Sequence, residues 1–539
     1  MSAMPPVSTL LSTAETDQAS VVVTSDLAQG SAVVKVLAMA VQGVSATPIR
    51  IEADLTSFQP GIVIIGRPDV SLGESSERVK SSIRHLGVTL PPRRITVNLT
   101  PADLPKQGSS FDLGIAVAVL AAAGQVEQRF IEGSCFMGEL GLGGELKPCV
   151  GVFLAALGAK EAGVRRIIVP VANVSEASLV EGIEVVGVRS LSECLKYISG
   201  NLDSSELEVV SSRKLDSASN SEQSQGTLLE SIIGQEDAKE ALMVAAIGGH
   251  HMFMVGPPGA GKTMLATGLR SLLPELSEQE ALESAVIRSA SGEQIQEMSF
   301  VSPFEAPHHK SSASSLIGGG VQKVMPGAIS RAHGGILFLD EAPEFSRDVL
   351  DALRQPLETG EVRISRAKWS VTMPARFQLI LAANPCPCGN FDVEGKICEC
   401  PSATRRKYLY RLSGPLMDRI DIQLNIPRVK TIVRDSVIEN KGIGTAEAKE
   451  RVALALERAR ARNLEIGVSR NSQIPADWLH SMKLHDEAAN LLDRALASAV
   501  ISMRGFHRIT RVAISLADLA GKDIPGVEEI SRAMAWRRI

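Results

Sequence analysis

The sequence predicts an α/β protein: a phosphate-loop core with a parallel sheet, preceded by a separate α+β domain and followed by a helical region. Three stretches carry that prediction. The first is Gly256-Pro257-Pro258-Gly259-Ala260-Gly261-Lys262-Thr263, set between the apolar run Met252-Phe253-Met254-Val255 and the helix-forming Met264-Leu265-Ala266. The second is Gly335-Ile336-Leu337-Phe338-Leu339-Asp340-Glu341, an apolar run that ends in two acids. The third is the alternation of short β-rich runs with helical periodicity between residues 32 and 200.

Bulk composition narrows the class. At 539 residues the chain has room for three or four domains, and 44% apolar content suffices for sizeable cores. A net charge of −5 gives no global nucleic-acid signature, so any contact with DNA or RNA must come from local basic loops. Seven cysteines in a chain this long do not suggest a secreted disulfide scaffold. The most apolar run, residues 114–124, is too short and too alanine-rich to cross a membrane. Residues 1–34 hold no Lys or Arg, and so lack the basic end of a signal peptide and the Arg-rich face of a transit peptide. The expectation is a cytoplasmic protein without a membrane partner.

Residues 1–31, rich in Ser, Thr, Ala and Gln, are expected to form a disordered tail. Within 32–200, residues 51–55, 61–66, 94–99 and 166–170 read as strands, 70–86, 111–123 and 150–162 as helices, and 138–146 as a hairpin. Residues 201–226, rich in Ser, Asp, Glu and Gln, read as a flexible linker.

The core spans residues 227–430. In its phosphate loop, glycines let the backbone wrap phosphates without a side-chain clash. Lys262 places a cation between the β- and γ-phosphates, and Thr263 offers a hydroxyl ligand to Mg²⁺. Asp340 is placed to hold Mg²⁺ directly or through water, and Glu341 to polarise the attacking water. ATP and Mg²⁺ are the cofactors this pattern needs. A third apolar strand, residues 378–383, ends at Asn384. Residues 359–371 alternate as a hairpin does and put Arg363, Arg366 and Lys368 near its tip, where cations suit phosphate contact with DNA. His308 and His309, after Pro307, are read as turn residues, with a pore lining or a metal pair as the other readings. Just beyond Asn384, Cys386, Cys388, Cys398 and Cys400 fall within fifteen residues as two C-x-C pairs. In a reducing compartment they predict a Cys₄ Zn²⁺ site, against free thiols or a redox pair. Cys135, Cys149 and Cys194 are expected to pack inside the first domain. Residues 431–539 are expected to be helical, with helices over 445–463, 491–503 and 509–519.

Residues 32–200 resemble the peptidase domain of Lon-type proteases, as found at the front of magnesium-chelatase-like AAA+ proteins. That resemblance implies a Ser–Lys dyad. The stretch Pro105-Lys106-Gln107-Gly108-Ser109-Ser110 keeps a serine at Ser109 or Ser110, but Phe153 stands where the lysine belongs. A serine without a base is a weak nucleophile, so no peptidase activity is expected and the domain reads as a scaffold. The rest resembles an AAA+ core with a helical lid. In such proteins Ile232-Ile233-Gly234-Gln235 packs the adenine ring, and Asn384 is the polar residue called sensor 1. Leu416-Met417-Asp418-Arg419-Ile420-Asp421 resembles the arginine-finger box of the chelatase and replicative-helicase branch. This implies that Arg419 reaches the γ-phosphate held by the neighbouring subunit of a homo-hexamer. Arg504, in Ser502-Met503-Arg504, matches the sensor-2 arginine, with Arg508 or Arg511 as the fallback. Residues 300–320 and 359–371 match the two inserts that track nucleic acid in the central pore.

Taken in order, the chain from about residue 32 onward resembles the ComM/YifB family of magnesium-chelatase-like proteins. Its most specific markers are Pro307-His308-His309, Phe338 through Phe345, Asn384-Pro385-Cys386-Pro387-Cys388-Gly389 and Ser413-Gly414-Pro415. His250-His251 and Ala342 depart from the family's usual His-Asn and Leu, at no catalytic position. The resemblance implies an ATP-driven DNA helicase, acting on single-stranded or branched DNA, that promotes branch migration in recombination during natural transformation. The alternative is the ATPase subunit of a magnesium chelatase, which lacks a Lon-like front domain.

Overall fold

A computed structural model of the chain describes residues 33–537 except 57–58, 67–69, 103, 105, 107, 203–206, 211–227, 321–323, 367–368, 392–395 and 429–441. The expected tail, most of the expected linker, and Lys368 lie outside the described residues.

The first domain is built on an eight-stranded sheet. From edge to edge its strands are Glu208–Val210, Glu184–Val188, Arg166–Pro170, Ser134–Phe136, Val34–Gln42, Ser45–Thr56, Arg94–Thr100 and Gly61–Ile65. The centre is an antiparallel hairpin running from Val34 opposite Ala53 to Gln42 opposite Ser45. Its turn uses Gly43 at φ +58°, a left-handed backbone that favours glycine. In Arg94–Thr100 the alternation puts Ile95, Val97 and Leu99 inward. After its first residue, helix Asp112–Ala122 is apolar all round, and it is buried from Asp112 to Ala121, as befits a central helix. Helix Val152–Glu161 packs on the hairpin and also against Glu278–Ala290 of the next domain, in one continuous apolar cluster.

Two expectations change here. The helix expected over 70–86 is two, Val70–Gly73 and Ser75–His85, parted at Glu74 just after a glycine. Part of the expected linker is a strand: Glu208–Val210 pairs antiparallel with Glu184–Val188 as the sheet's edge. The polar composition around it hid a segment of only three residues.

The second domain holds a five-stranded sheet, parallel throughout, in the order Phe304–Glu305, Ile336–Leu339, Gln378–Ala383, Met252–Val255, Ile422–Asn425. Its central strands are buried at every position, as a sheet covered on both faces requires. Alternate residues part to opposite faces. Ile336, Phe338, Met252, Met254, Ile380 and Ala382 pack with helices Glu236–Gly248 and Lys262–Leu272 and the C-terminal helices. Leu337, Leu339, Phe253, Val255, Leu379 and Leu381 join the cluster shared with helix Val152–Glu161. Buried Gln378 satisfies its amide N–H groups on the Ala245 and His250 carbonyls, at 3.0 and 2.6 Å.

Beyond residue 441 the described chain is helical: Thr445–Ile466, Ala476–Ser481, Asp486–Ala497, Met503–Ala520 and Val527–Ala535. The helices expected over 491–503 and 509–519 thus shift. The break falls at Ala499, with φ +54°, and Ser502 then caps the long helix by accepting the Gly505 N–H at 3.1 Å. Arg532 pairs with Asp237 and Glu240, and Trp536 Nε1 donates to Asp237, so the last helix is tied to Glu236–Gly248. No helix of the described residues is long and apolar enough to cross a membrane.

Candidate functional site

The phosphate loop leaves strand Met252–Val255 and feeds helix Lys262–Leu272, so its N–H groups face the space before a helix N-terminus. Gly259 (φ +77°) and Gly261 (φ +89°) take left-handed backbone that side chains resist. Gly256 is needed for another reason: a Cβ there would stand 2.3 Å from the Ile426 carbonyl oxygen.

Strand order does the rest. The strand ending at Asn384 lies between the phosphate-loop strand and the strand ending at Asp340, so three groups far apart in sequence meet at one end of the sheet. Lys262 Nζ donates to the Gly256 and Pro257 carbonyls at 2.6 and 3.1 Å and to Asn384 Oδ1 at 3.2 Å. Burial lowers the Lys262 pKa, while Asp340 and Glu341 act the other way. Thr263 Oγ1 donates to Asp340 Oδ2 at 3.2 Å, which places side by side the two oxygens that would hold Mg²⁺. Gly234, at φ +65°, and Gln235, at φ +59°, form the turn before helix Glu236–Gly248. Gln235 Nε2 donates to the Pro427 carbonyl at 2.6 Å, on the same side of the sheet as the loop.

Glu341 carries two features that spacing did not show. Its backbone is left-handed at φ +50°, a strained state for a residue other than glycine and one that gathers at functional sites. Its carboxylate is held by His309, with Nδ1 3.1 Å from Oε2. The turn reading of His308 and His309 therefore misses a contact: His308 accepts the Lys310 N–H and stacks on His309, and His309 reaches Glu341. No sequence signal marked this beyond the doubled histidine. Arg428 was missed as well; it donates to the Pro258 carbonyl at 2.9 and 3.2 Å.

Arg419 stands elsewhere. It precedes strand Ile422–Asn425, which runs parallel to Met252–Val255 with Ile422 opposite Met252 and Asn425 opposite Val255. The phosphate loop follows Val255, so Arg419 sits at the opposite end of the sheet. A four-residue strand separates them, about 13 Å of rise. There it pairs with Glu358 and donates to the Pro415 carbonyl. Burial, with Arg508, Arg354 and Arg504 nearby, lowers its pKa.

Arg504, Arg508 and Arg511 gather at that end too. Arg504 lies 3.3 Å from Asp418. Arg508 donates to the Arg419 carbonyl at 3.0 Å and to Asp421, and Arg511 donates to the Ile474 carbonyl. The anchor is Asp421. Burial would raise its pKa, but the His250 hydrogen bond and the Arg508 charge hold it well below the carboxylate range. This fixes the start of helix Met503–Ala520 beside Arg419.

The hairpin Glu361–Arg366/Trp369–Pro374 forms as expected, with Arg363 exposed and its Nε on Ser370 Oγ at 3.1 Å. Arg366 pairs with Trp369 as the last described pair of the ladder; its side chain is outside the described residues. Cys386, Cys388, Cys398 and Cys400 bring their sulfurs within 4.8 Å of one another. Bonds from the Asn390 N–H and the Cys386 thiol draw Cys388 down to about 6. Cys135, Cys149 and Cys194 are buried in the first domain, as expected. In that domain Phe153 is a fully buried core residue and Ser109 Oγ donates to the Glu139 carboxylate.

Three family models match: residues 51–173 match subunit ChlI of Mg-chelatase, 228–433 magnesium chelatase subunit ChlI, and 442–537 its C-terminal part. An uncharacterized protein of Mycobacterium tuberculosis is 41% identical over 94% of this chain and 98% of its own length. Competence protein ComM of Haemophilus influenzae is 38% identical over 93% of this chain and 97% of its own. Uncharacterized protein YifB of Escherichia coli is 38% identical over 92% and 95%. With a phosphate-loop core of AAA+ type and near-full-length likeness on both sides, the chain belongs to the ComM/YifB family of magnesium-chelatase-like proteins.

Proposed function

We propose that the protein is an ATP-driven DNA motor, working as a homo-hexamer, that moves branch points during homologous recombination of incoming DNA. The observation that carries the ring reading is the split of the machinery. Lys262, Thr263, Asp340, Glu341 and Asn384 share one end of the sheet, while Arg419 and Arg504 occupy the other. In a ring, the arginine end of one copy meets the phosphate-loop end of the next.

In that arrangement Lys262 binds the β- and γ-phosphates, trading its loop carbonyls for phosphate oxygens of higher charge. Thr263 and Asp340 would hold Mg²⁺, which neutralises phosphate charge when bound. Glu341 accepts a proton from the attacking water once His309 releases it, and Asn384 orients that water. Arg419 exchanges Glu358 for the neighbour's γ-phosphate. Such fingers contribute about 10³–10⁵ in turnover, so hydrolysis requires assembly.

Arg363, Arg366 and Lys368 offer the DNA phosphates a cationic hairpin. The competence name of the Haemophilus relative supports the recombination role. The first domain, Lon-like with Phe153 in place of a lysine, serves as a scaffold, and the four cysteines hold one Zn²⁺, whose preference for four thiolates they meet. The test is ATP hydrolysis with and without single-stranded, duplex and branched DNA. Stimulation by DNA that weakens steeply with salt supports the motor. Stimulation only by a porphyrin-binding partner replaces it with metal insertion into a tetrapyrrole.

A further inference from the structure

The cysteine turn does more than sit near the nucleotide site: it forms a wall of the phosphate loop. Its first pair follows Asn384 by two residues, in a turn closed by the Gly389 N–H on the Cys386 carbonyl at 3.0 Å. Gly389, at φ +73°, lies against the ring of Pro258 so closely that a Cβ would stand 2.7 Å from both Cγ and Cδ. On its carbonyl side Pro258 is held by Arg428. The tip of the phosphate loop is thus fixed between the cysteine turn and the arginine that follows strand Ile422–Asn425. The second pair, Cys398 and Cys400, leads into helix Ser402–Leu409, whose Arg405 lies 4.0 Å over the Phe391 ring.

The sulfur geometry suits one metal ion. Cys386 is 3.3 Å from Cys388 and 3.7 Å from Cys398, and Cys388 is 3.7 Å from Cys398. A disulfide needs about 2.05 Å. Four thiolates at the usual 2.3 Å around Zn²⁺ stand roughly 3.8 Å apart. The Phe391 N–H, 3.4 Å from Cys386 Sγ, supplies an outer hydrogen bond of the kind that steadies a ligating thiolate.

We propose that zinc occupancy of these four thiols and nucleotide affinity of the phosphate loop are coupled, with the Gly389–Pro258 contact as the link. The proposal rests on the nucleotide-site and zinc readings given above. Binding takes Zn²⁺ and four cysteine side chains to a tetrathiolate of net charge −2, and protons leave from whichever thiols still carry them. Without the metal the two C-x-C turns lose the ion that ties them, and Pro258 loses the surface that holds the loop open to phosphate. Linkage makes the effect reciprocal: nucleotide must tighten zinc by the factor by which zinc tightens nucleotide.

The experiment uses the full chain. Zinc is counted by plasma emission, stripped with a mercurial and chelator, and restored after thiol reduction; a fluorescent ADP is titrated at each stage. One zinc per chain is expected, with ADP weakened about tenfold on stripping, inside the ~5–150-fold range of linked sites, and recovered on restoration. Gly389→Ala, whose Cβ meets the Pro258 ring on a backbone already left-handed, is expected to keep its zinc yet bind ADP as weakly as the stripped wild type, because it breaks the contact without replacing a thiol. Chelator competition is expected to show tighter zinc when ADP is saturating. A wild type that takes up no zinc after reconstitution overturns the metal site. Equal ADP affinity with and without zinc overturns the coupling and leaves a structural metal. If the zinc-loaded wild type binds no ADP, the nucleotide reading itself falls. Cysteine variants are avoided because loss of fold would mimic loss of coupling; stripping and restoring the native chain controls for that.

Discussion

Replacing His309 with alanine isolates the contact that restrains Glu341. The imidazole Nδ1 stands 3.1 Å from Glu341 Oε2, with the two side chains 26% and 48% exposed. A pair this open to water contributes about 0.2–1 kcal/mol, which shifts the fraction of restrained Glu341 by about 1.4- to 5-fold. A carboxylate oxygen occupied by the ring cannot take a proton from water. Basal ATP turnover without DNA should therefore rise in His309→Ala by no more than about fivefold, with the KM for ATP unchanged, because the contact removed is on Glu341 and not on Lys262. Steady-state phosphate release reads both constants. The double variant with Glu341→Gln should be as slow as Glu341→Gln alone, since His309 acts only through Glu341. A fall in turnover, or an increase that survives in the Glu341→Gln background, refutes the restraint.

Further outcomes follow from the same geometry. Lys262→Ala removes charge-assisted bonds of about 1.5–3 kcal/mol, so ATP affinity measured by fluorescence should drop by roughly 10- to 150-fold; a drop under threefold contradicts its role. Gly256→Ala drives a Cβ to 2.3 Å from the Ile426 carbonyl, and thermal unfolding should report a loss of about 1–3 kcal/mol, whereas an unchanged midpoint contradicts the packing. Glu283 is held down to about 2 from 4.5: burial opposes this, but His333 and Arg376, each at 2.6 Å, overcome it. Its folded pKa lies below the unfolded one, so its stabilisation is complete above pH about 4.5 and fades as pH falls toward 2. Glu283→Gln should flatten the acid side of a denaturation profile, and an identical slope argues against the network. Arg363→Ser should weaken DNA binding and lower its salt slope by about one; an unaltered slope moves the phosphate contact elsewhere.

What could be read from the chain alone was whatever depends on local spacing. The phosphate loop, the acids closing Ile336–Leu339 and the asparagine closing Gln378–Ala383 each sit where a strand runs out, and strand ends are visible as apolar runs that stop. That the asparagine strand lies between the other two was not visible, because it is a matter of strand order. His309 stayed hidden because its partner is thirty-two positions away, beyond helices Ala313–Ile317 and Ala328–Arg331 and strand Ile336–Leu339. Arg504 shows a second limit. Its motif was recognisable, but its location depends on Asp421 gripping Arg508, a contact between residues 87 positions apart. The strand Glu208–Val210 was lost to its own brevity.

The most direct test of a site shared between copies is complementation. Glu341→Gln keeps its arginine end but has a dead pocket, and Arg419→Ala keeps its pocket but offers no finger. Each should be nearly inactive alone. Mixed and allowed to exchange subunits, they should recover ATP hydrolysis, greatest near equal proportions, where intact pockets most often face intact fingers. A mixture no faster than the average of its parts would mean that each copy hydrolyses ATP with its own groups alone.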